Sequence, residues 1–188
     1  MMLRVRYLFG RACVLRLIPA CAVCAEIGVW KGDFSERVLR LRRPQEFHLI
    51  DPWQFESKYP GRWYGGDVAK SQRDMDNIKD SVCRRFGKAS AVIIHRSKSV
   101  DAATEFSDDY FDWIYIDGDH SREAVLNDLE AWHTKLKPRG VIALDDYDWR
   151  DEQGQYSIRG AVDAFIAHHN NLKAKPMWGQ LLITRRII

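Results

Sequence analysis

The chain has 188 residues, 46% apolar and 29% charged, with a formal net charge of +3. This is the length of one domain with a substantial core, and no run of 18 apolar residues marks a spanning helix. Residues 1 to 25 carry Arg4, Arg6, Arg11 and Arg16 and no acid; set apart, they leave the rest near −1, which argues against a nucleic-acid platform.

Residues 1 to 20 are expected to form a short basic arm, amphipathic or poorly ordered, ahead of a single domain over residues 21 to 188. Arg11 and Arg16 interrupt the apolar stretch that a signal peptide needs. Cys21 and Cys24 form a CxxC, but within a strand rather than at a strand-to-helix turn, and no second pair completes a zinc set. They read as core thiols, kept reduced in a cytoplasmic protein.

From there strand and helix signals alternate. AVCAEIGV (22–29) is a buried strand punctuated by Gly28 and Gly32. Asp33 is placed as the cap of a helix carrying Phe34, Val38 and Leu41. FHLID (47–51) is a second strand, and residues 53 to 67, aromatic and glycine-rich without a period, form a loop or lid. A helix with Met75, Ile78 and Val82 on one face leads to a third strand, SAVIIH (90–95), and a short helix at 100–106. FDWIYID (111–117) is the fourth strand. A helix with the stripe Val125, Leu129, Trp132 and Leu136 then ends at KPRG (137–140). VIALDD (141–146) is the fifth strand, Ser157 caps a last helix, and the tail folds as a hairpin around Gly179.

Such alternation builds a doubly wound, mostly parallel α/β sheet with helices on both faces, whose ligands bind beyond the carboxyl ends of the strands. Acids and glycines collect there. In EIGVWKG and the Asp33 that follows it, the first, third and sixth positions of a dinucleotide fingerprint are Gly28, Trp30 and Asp33. An indole and an acid there disfavour a phosphate and suit a nucleoside without one, unless the turn is only structural. Asp51, 19 residues after Gly32, can accept both hydroxyls of a ribose. Neighbouring strand ends bring Asp117 near the pair Asp145–Asp146. Three carboxylates at one edge repel, and a divalent cation such as Mg²⁺ relieves that repulsion; the alternative is a solvated acidic loop.

AEIGVWKGDFSERVL, HLIDPW, DWIYIDGDHSREAVLNDLEAW and LKPRGVIALDDY together resemble the class I S-adenosylmethionine-dependent methyltransferases. Within them they are similar to the group containing the macrocin-type sugar O-methyltransferases, relatives of the catechol O-methyltransferase type. The resemblance implies a Rossmann-like sheet of about seven strands closing in an antiparallel hairpin. It implies that Glu26, Gly28, Gly32, Asp51, Lys98, Ser99 and Asp117 bind S-adenosylmethionine. It places a metal on Asp117, Asp145 and Asp146, and a general base at His120, with Asp117 beside it. His120 is otherwise a hydrogen-bonder at the start of a helix. A metal acidifies a bound hydroxyl, and a nearby His takes its proton.

Family members usually have a longer N-terminal region over the substrate. Recognition of a small-molecule acceptor therefore falls on Trp53, Trp63, Tyr64, Tyr147 and Trp149, which either wall the acceptor or cover the fold. The aromatic surplus hints at a homo-oligomer. The competing readings are a hydroxylase-like or other enzyme on the same scaffold and a non-catalytic nucleoside-binding module.

Overall fold

The computed structural model describes the backbone of residues 2–186 and the side chains of residues 9–186. Seven strands form one sheet in the order β3-β2-β1-β4-β5-β7-β6. Its strands are β1 (Val23–Ile27), β2 (Glu46–Asp51), β3 (Val92–Arg96), β4 (Phe111–Ile116), β5 (Leu136–Leu144), β6 (Leu172–Met177) and β7 (Gln180–Arg185). The first five run parallel, and β7 pairs antiparallel with both β5 and β6. This is the doubly wound sheet with a terminal hairpin that the alternation requires.

Six α-helices accompany it among the described residues: α1 (Met2–Leu15), α2 (Asp33–Arg42), α3 (Gln72–Phe86), α4 (Ser99–Ala103), α5 (Arg122–Trp132) and α6 (Ser157–His168). None is long and apolar enough to cross a membrane. Two apolar clusters, one on each face, sandwich the sheet. β1 and β4 are buried along nearly all their length because helices cover both faces, which is why they read as continuous apolar runs.

Several boundaries differ from the sequence reading. The arm is helical, and Val14, Leu15 and Ile18 join the core, so it packs as part of the domain. Gly32, at φ +77, holds the cap position of α2, and Asp33 is its first residue. Likewise Tyr156 precedes α6, and Ser157 Oγ donates instead to Asp151 at 2.6 Å. KPRG lies inside β5, which begins at Leu136, pairs with Phe111 and is offset by an irregularity before Trp113. Turn-forming residues survive there because that end of the strand is exposed at Arg139 and adapts by a bulge. Of the CxxC pair, Cys24 is buried and its thiol pushed up to about 12, mainly by burial, whereas Cys21 is exposed. Trp178 and Gly179, both at positive φ, make the β6–β7 turn.

Candidate active site

The carboxyl ends of β1, β2, β4 and β5 open onto a cleft of about 1190 Å³. Its floor is the β1–α2 turn. Gly28 sits at φ +88, and a Cβ there would lie 2.1 Å from the Asp117 carbonyl oxygen, so only glycine lets β1 and β4 close together at this point. Glu26, just before it, is 2% exposed, and its Oε2 has no hydrogen-bond partner. Burial pushes its carboxyl up to about 8, and the charge of Asp117 adds to the effect.

Asp51 ends β2 and ties two loops together. Its Oδ2 accepts the backbone N–H groups of Val29 at 3.0 Å and Trp30 at 2.9 Å, and its Oδ1 accepts that of Trp53 at 2.7 Å. Burial raises its pKa against those bonds. A carboxylate has about four acceptor directions, so three are taken inside the protein and one is left over at the wall of the cleft. Lys98 and Ser99 line the same cleft past β3. Ser99 Oγ accepts the Trp132 Nε1 hydrogen at 2.8 Å.

At the other end stand the aspartates of β4 and β5. Arg11 of α1 reaches between them: Nε donates to Asp145 Oδ2 at 2.8 Å, and Nη2 to Asp117 Oδ2 at 2.6 Å. Gln180 of β7 donates to the other oxygen of Asp145. Asp145 is fully buried; burial alone would raise its pKa, but Arg11 and Gln180 hold it low and charged. Asp117 moves the opposite way, up to about 7, through burial and the Asp145 charge. Asp146, at φ +50, turns its carboxyl into the cleft and rises to about 6 for the same two reasons. His120 Nε2 lies 3.5 Å from Asp117 Oδ1. Burial opposes its protonation, but Asp117, Asp146 and Asp145 outweigh that and raise its pKa.

The ligand set expected from sequence, Asp117 with Asp145 and Asp146, does not fit a metal in this arrangement. A guanidinium already joins Asp117 to Asp145, and both oxygens of Asp145 are engaged. The residues whose ligand atoms do approach one another, within 4.8 Å, are Asp117, His120 and Asp146.

The aromatic residues divide. Trp63, 59% exposed, and Tyr64 line the cleft, and Tyr64 donates to Asp119 at 3.1 Å. Trp149 lines it too, edge-on to His120 at 5.3 Å between centroids and capped by the Arg62 guanidinium at 4.9 Å. Residues 53 to 67 and 147 to 156 therefore meet over the opening. Trp53 does not take part: it is fully buried, its Nε1 bonded to the Trp30 carbonyl at 2.9 Å. Tyr147 also lies outside the cleft, packed on the core beneath Arg159. Gly32 is outside as well, pressed on Phe86, where a Cβ would come within 2.6 Å.

Two cleft residues escaped the sequence reading. Asp128, buried on α5, is pushed up to about 7 chiefly by burial and lies beside Gly118. Its signal was an acid inside an apolar helical stripe, three residues after Val125 and four before Trp132. Arg11 gave no local signal, because its partners lie 106 and 134 residues away.

A family model described as "Methyltransferase domain" matches residues 25–147. No curated protein matches the sequence. Among solved structures, the cofactor-bound Rv0187 from MTB is 17% identical at a TM-score of 0.66, over 96% of this chain and 81% of that one. A candidate caffeoyl-CoA O-methyltransferase from Staphylococcus aureus is 13% identical at 0.64, over 97% and 83%. The SAH-bound methyltransferase PaMTH1 from Podospora anserina is 13% identical at 0.60, over 99% and 78%. At these identities the structures speak for the fold, and the family match covers most of the chain: the protein belongs to the methyltransferase-domain family, with the class I fold.

Proposed function

We propose that this chain moves the methyl group of S-adenosylmethionine to a hydroxyl of a small molecule, with His120 as the base. The observation that carries the reading is the unpartnered Oε2 oxygen of the buried Glu26 carboxyl beside the Gly28 turn, 91 residues from Asp117 in sequence but one strand away in space. A buried acid with a free oxygen fits a cationic group, as the amino end of the cofactor supplies; bound, the cofactor provides an electrophilic methyl on sulfur. The one free acceptor direction of Asp51 fits a ribose hydroxyl.

The chain's own residues do the rest. Asp117 steadies the imidazole of His120, which takes the acceptor's proton as the oxygen–carbon bond forms and the sulfur–carbon bond breaks. The products are a methyl ether and S-adenosylhomocysteine, and the proton leaves from His120. Trp63, Tyr64 and Trp149 wall the acceptor, and the two loops exclude water. A cleft closed by two short loops suits a small acceptor rather than a polymer.

A second reading rests on the approach of Asp117, His120 and Asp146: those three would hold a divalent cation, which would acidify and orient the acceptor hydroxyl. The two readings use His120 differently. Calorimetry with S-adenosylhomocysteine, with and without Mg²⁺, tests both. Micromolar binding independent of metal supports the first; heat from the metal that disappears in Asp146→Asn supports the second; no binding in either condition sinks the methyl-transfer reading.

A further inference from the structure

We propose that Glu130, His133 and His169 form a zinc site, remote from the cleft, that clips the ends of α5 and α6 together. Both helices leave the carboxyl edge of the sheet and run to its amino edge, so their last turns lie at the end opposite the cleft. His133 follows the last residue of α5, and His169 follows the last residue of α6. Each stands where carbonyl groups give a helix its negative end, which favours a cation.

The side chains are arranged as ligands. Glu130 and His133, three apart, share one face of α5. One ligand atom from each of Glu130, His133 and His169 lies within 4.8 Å of the others. His169 Nε2 is 3.0 and 3.2 Å from the two Glu130 carboxylate oxygens. His133 Nδ1 points at the carbonyl oxygens of Leu129, at 3.1 Å, and Glu130, at 3.0 Å. A hydrogen donated there leaves the lone pair on Nε2, the backbone anchoring that metal-bound imidazoles commonly show. Phe165, fully buried, packs against both rings at 5.3 and 4.3 Å, forming an apolar wall that limits their rotation.

Two imidazoles and one carboxylate, with water as the fourth ligand, match the preference of Zn²⁺ and not the all-oxygen preference of Mg²⁺. A bound ion would tie together two helix ends that otherwise meet here through the packing of Phe165 and the His169–Glu130 contact. Because the site is at the far edge of the sheet, zinc would act on stability and leave cofactor binding unchanged.

The test is competition of the full chain with a chromophoric zinc chelator, alongside thermal unfolding with Zn²⁺ or Mg²⁺. The expected result is one Zn²⁺ per chain, a higher Tm with Zn²⁺ only, and at least ten-fold weaker binding in His169→Ala and His133→Ala. Glu130→Gln, on a half-exposed side chain, gives the same reading if a histidine variant fails to fold. The proposal is overturned if the chain binds no zinc, or if zinc survives in Glu130→Gln and His169→Ala but is lost in His120→Ala or Cys21→Ser.

Discussion

The Arg11 guanidinium bridges Asp117 and Asp145, donating to Asp117 at 2.6 Å and to Asp145 at 2.8 Å, so that one cation from α1 joins the ends of two neighbouring strands. It answers the repulsion that two adjacent acids at the end of β5 create. Removing one partner of a buried pair leaves a charge that water cannot reach, at a cost of about 3 kcal/mol. Arg11→Ala should lower the urea midpoint accordingly, and Asp145→Asn in that background should recover part of the loss. Equal stability of Arg11→Ala and the parent would show that the bridge contributes nothing.

Glu26 ionises near 8 in the folded chain and near 4.5 when unfolded. The folded state therefore binds the extra proton between those values, and stability falls as pH rises from about 5 through 8. Glu26→Gln should flatten that slope, and be the more stable form at pH 8 by on the order of 2–4 kcal/mol. A cationic cofactor group should reverse the shift, so S-adenosylhomocysteine should release a proton on binding at pH 7. Calorimetry in buffers of different ionisation enthalpy measures that release, and its persistence in Glu26→Gln would assign it elsewhere.

For His120, substitution by Ala should lower the rate of methyl transfer by roughly 10²–10⁴-fold, the usual worth of a general base. Binding of S-adenosylhomocysteine should be unchanged, since the imidazole packs edge-on to Trp149 and, on the proposed reading, faces the acceptor. A rate within a few-fold of the parent would remove His120 from the chemistry.

Gly28→Ala puts a methyl group 2.1 Å from a backbone oxygen at a φ that alanine avoids. The strand ends must part, and we expect loss of cofactor binding with destabilisation of about 2 kcal/mol or more. Differential scanning fluorimetry with and without S-adenosylhomocysteine checks both effects at once.

Much of this was legible in advance, and the exceptions have a common cause. Buried parallel strands write themselves as apolar runs, and topology alone carries Glu26, Asp51, Asp117 and Asp146 to one edge. What pattern does not carry is where a side chain turns once there. Asp145 and Asp146 are adjacent, yet one faces Arg11 and Gln180 in the interior and the other the cleft, because Asp146 adopts a positive φ. Trp53 and Trp63 look alike in sequence, but one is fully buried and the other 59% exposed. The helix of Arg11 was obscured by its own arginines, which break the apolar period whose buried members are Val14 and Leu15.

The contact between α1 and the β6–β7 turn sets an order of events during synthesis. Gly10 lies against the Trp178 carbonyl, where a Cβ would come within 2.3 Å, and Phe9 meets the Trp178 ring edge-on at 5.3 Å. The helix thus rests on a hairpin that is synthesised long after it. At 5–20 residues per second a ribosome needs roughly 10–30 s to supply that seat. Until then Arg11 has no frame to hold it, and the aspartates it bridges face each other without it. A ribosome-stalled chain cut short before β6 should leave α1 open to protease, while release of the full chain should protect it.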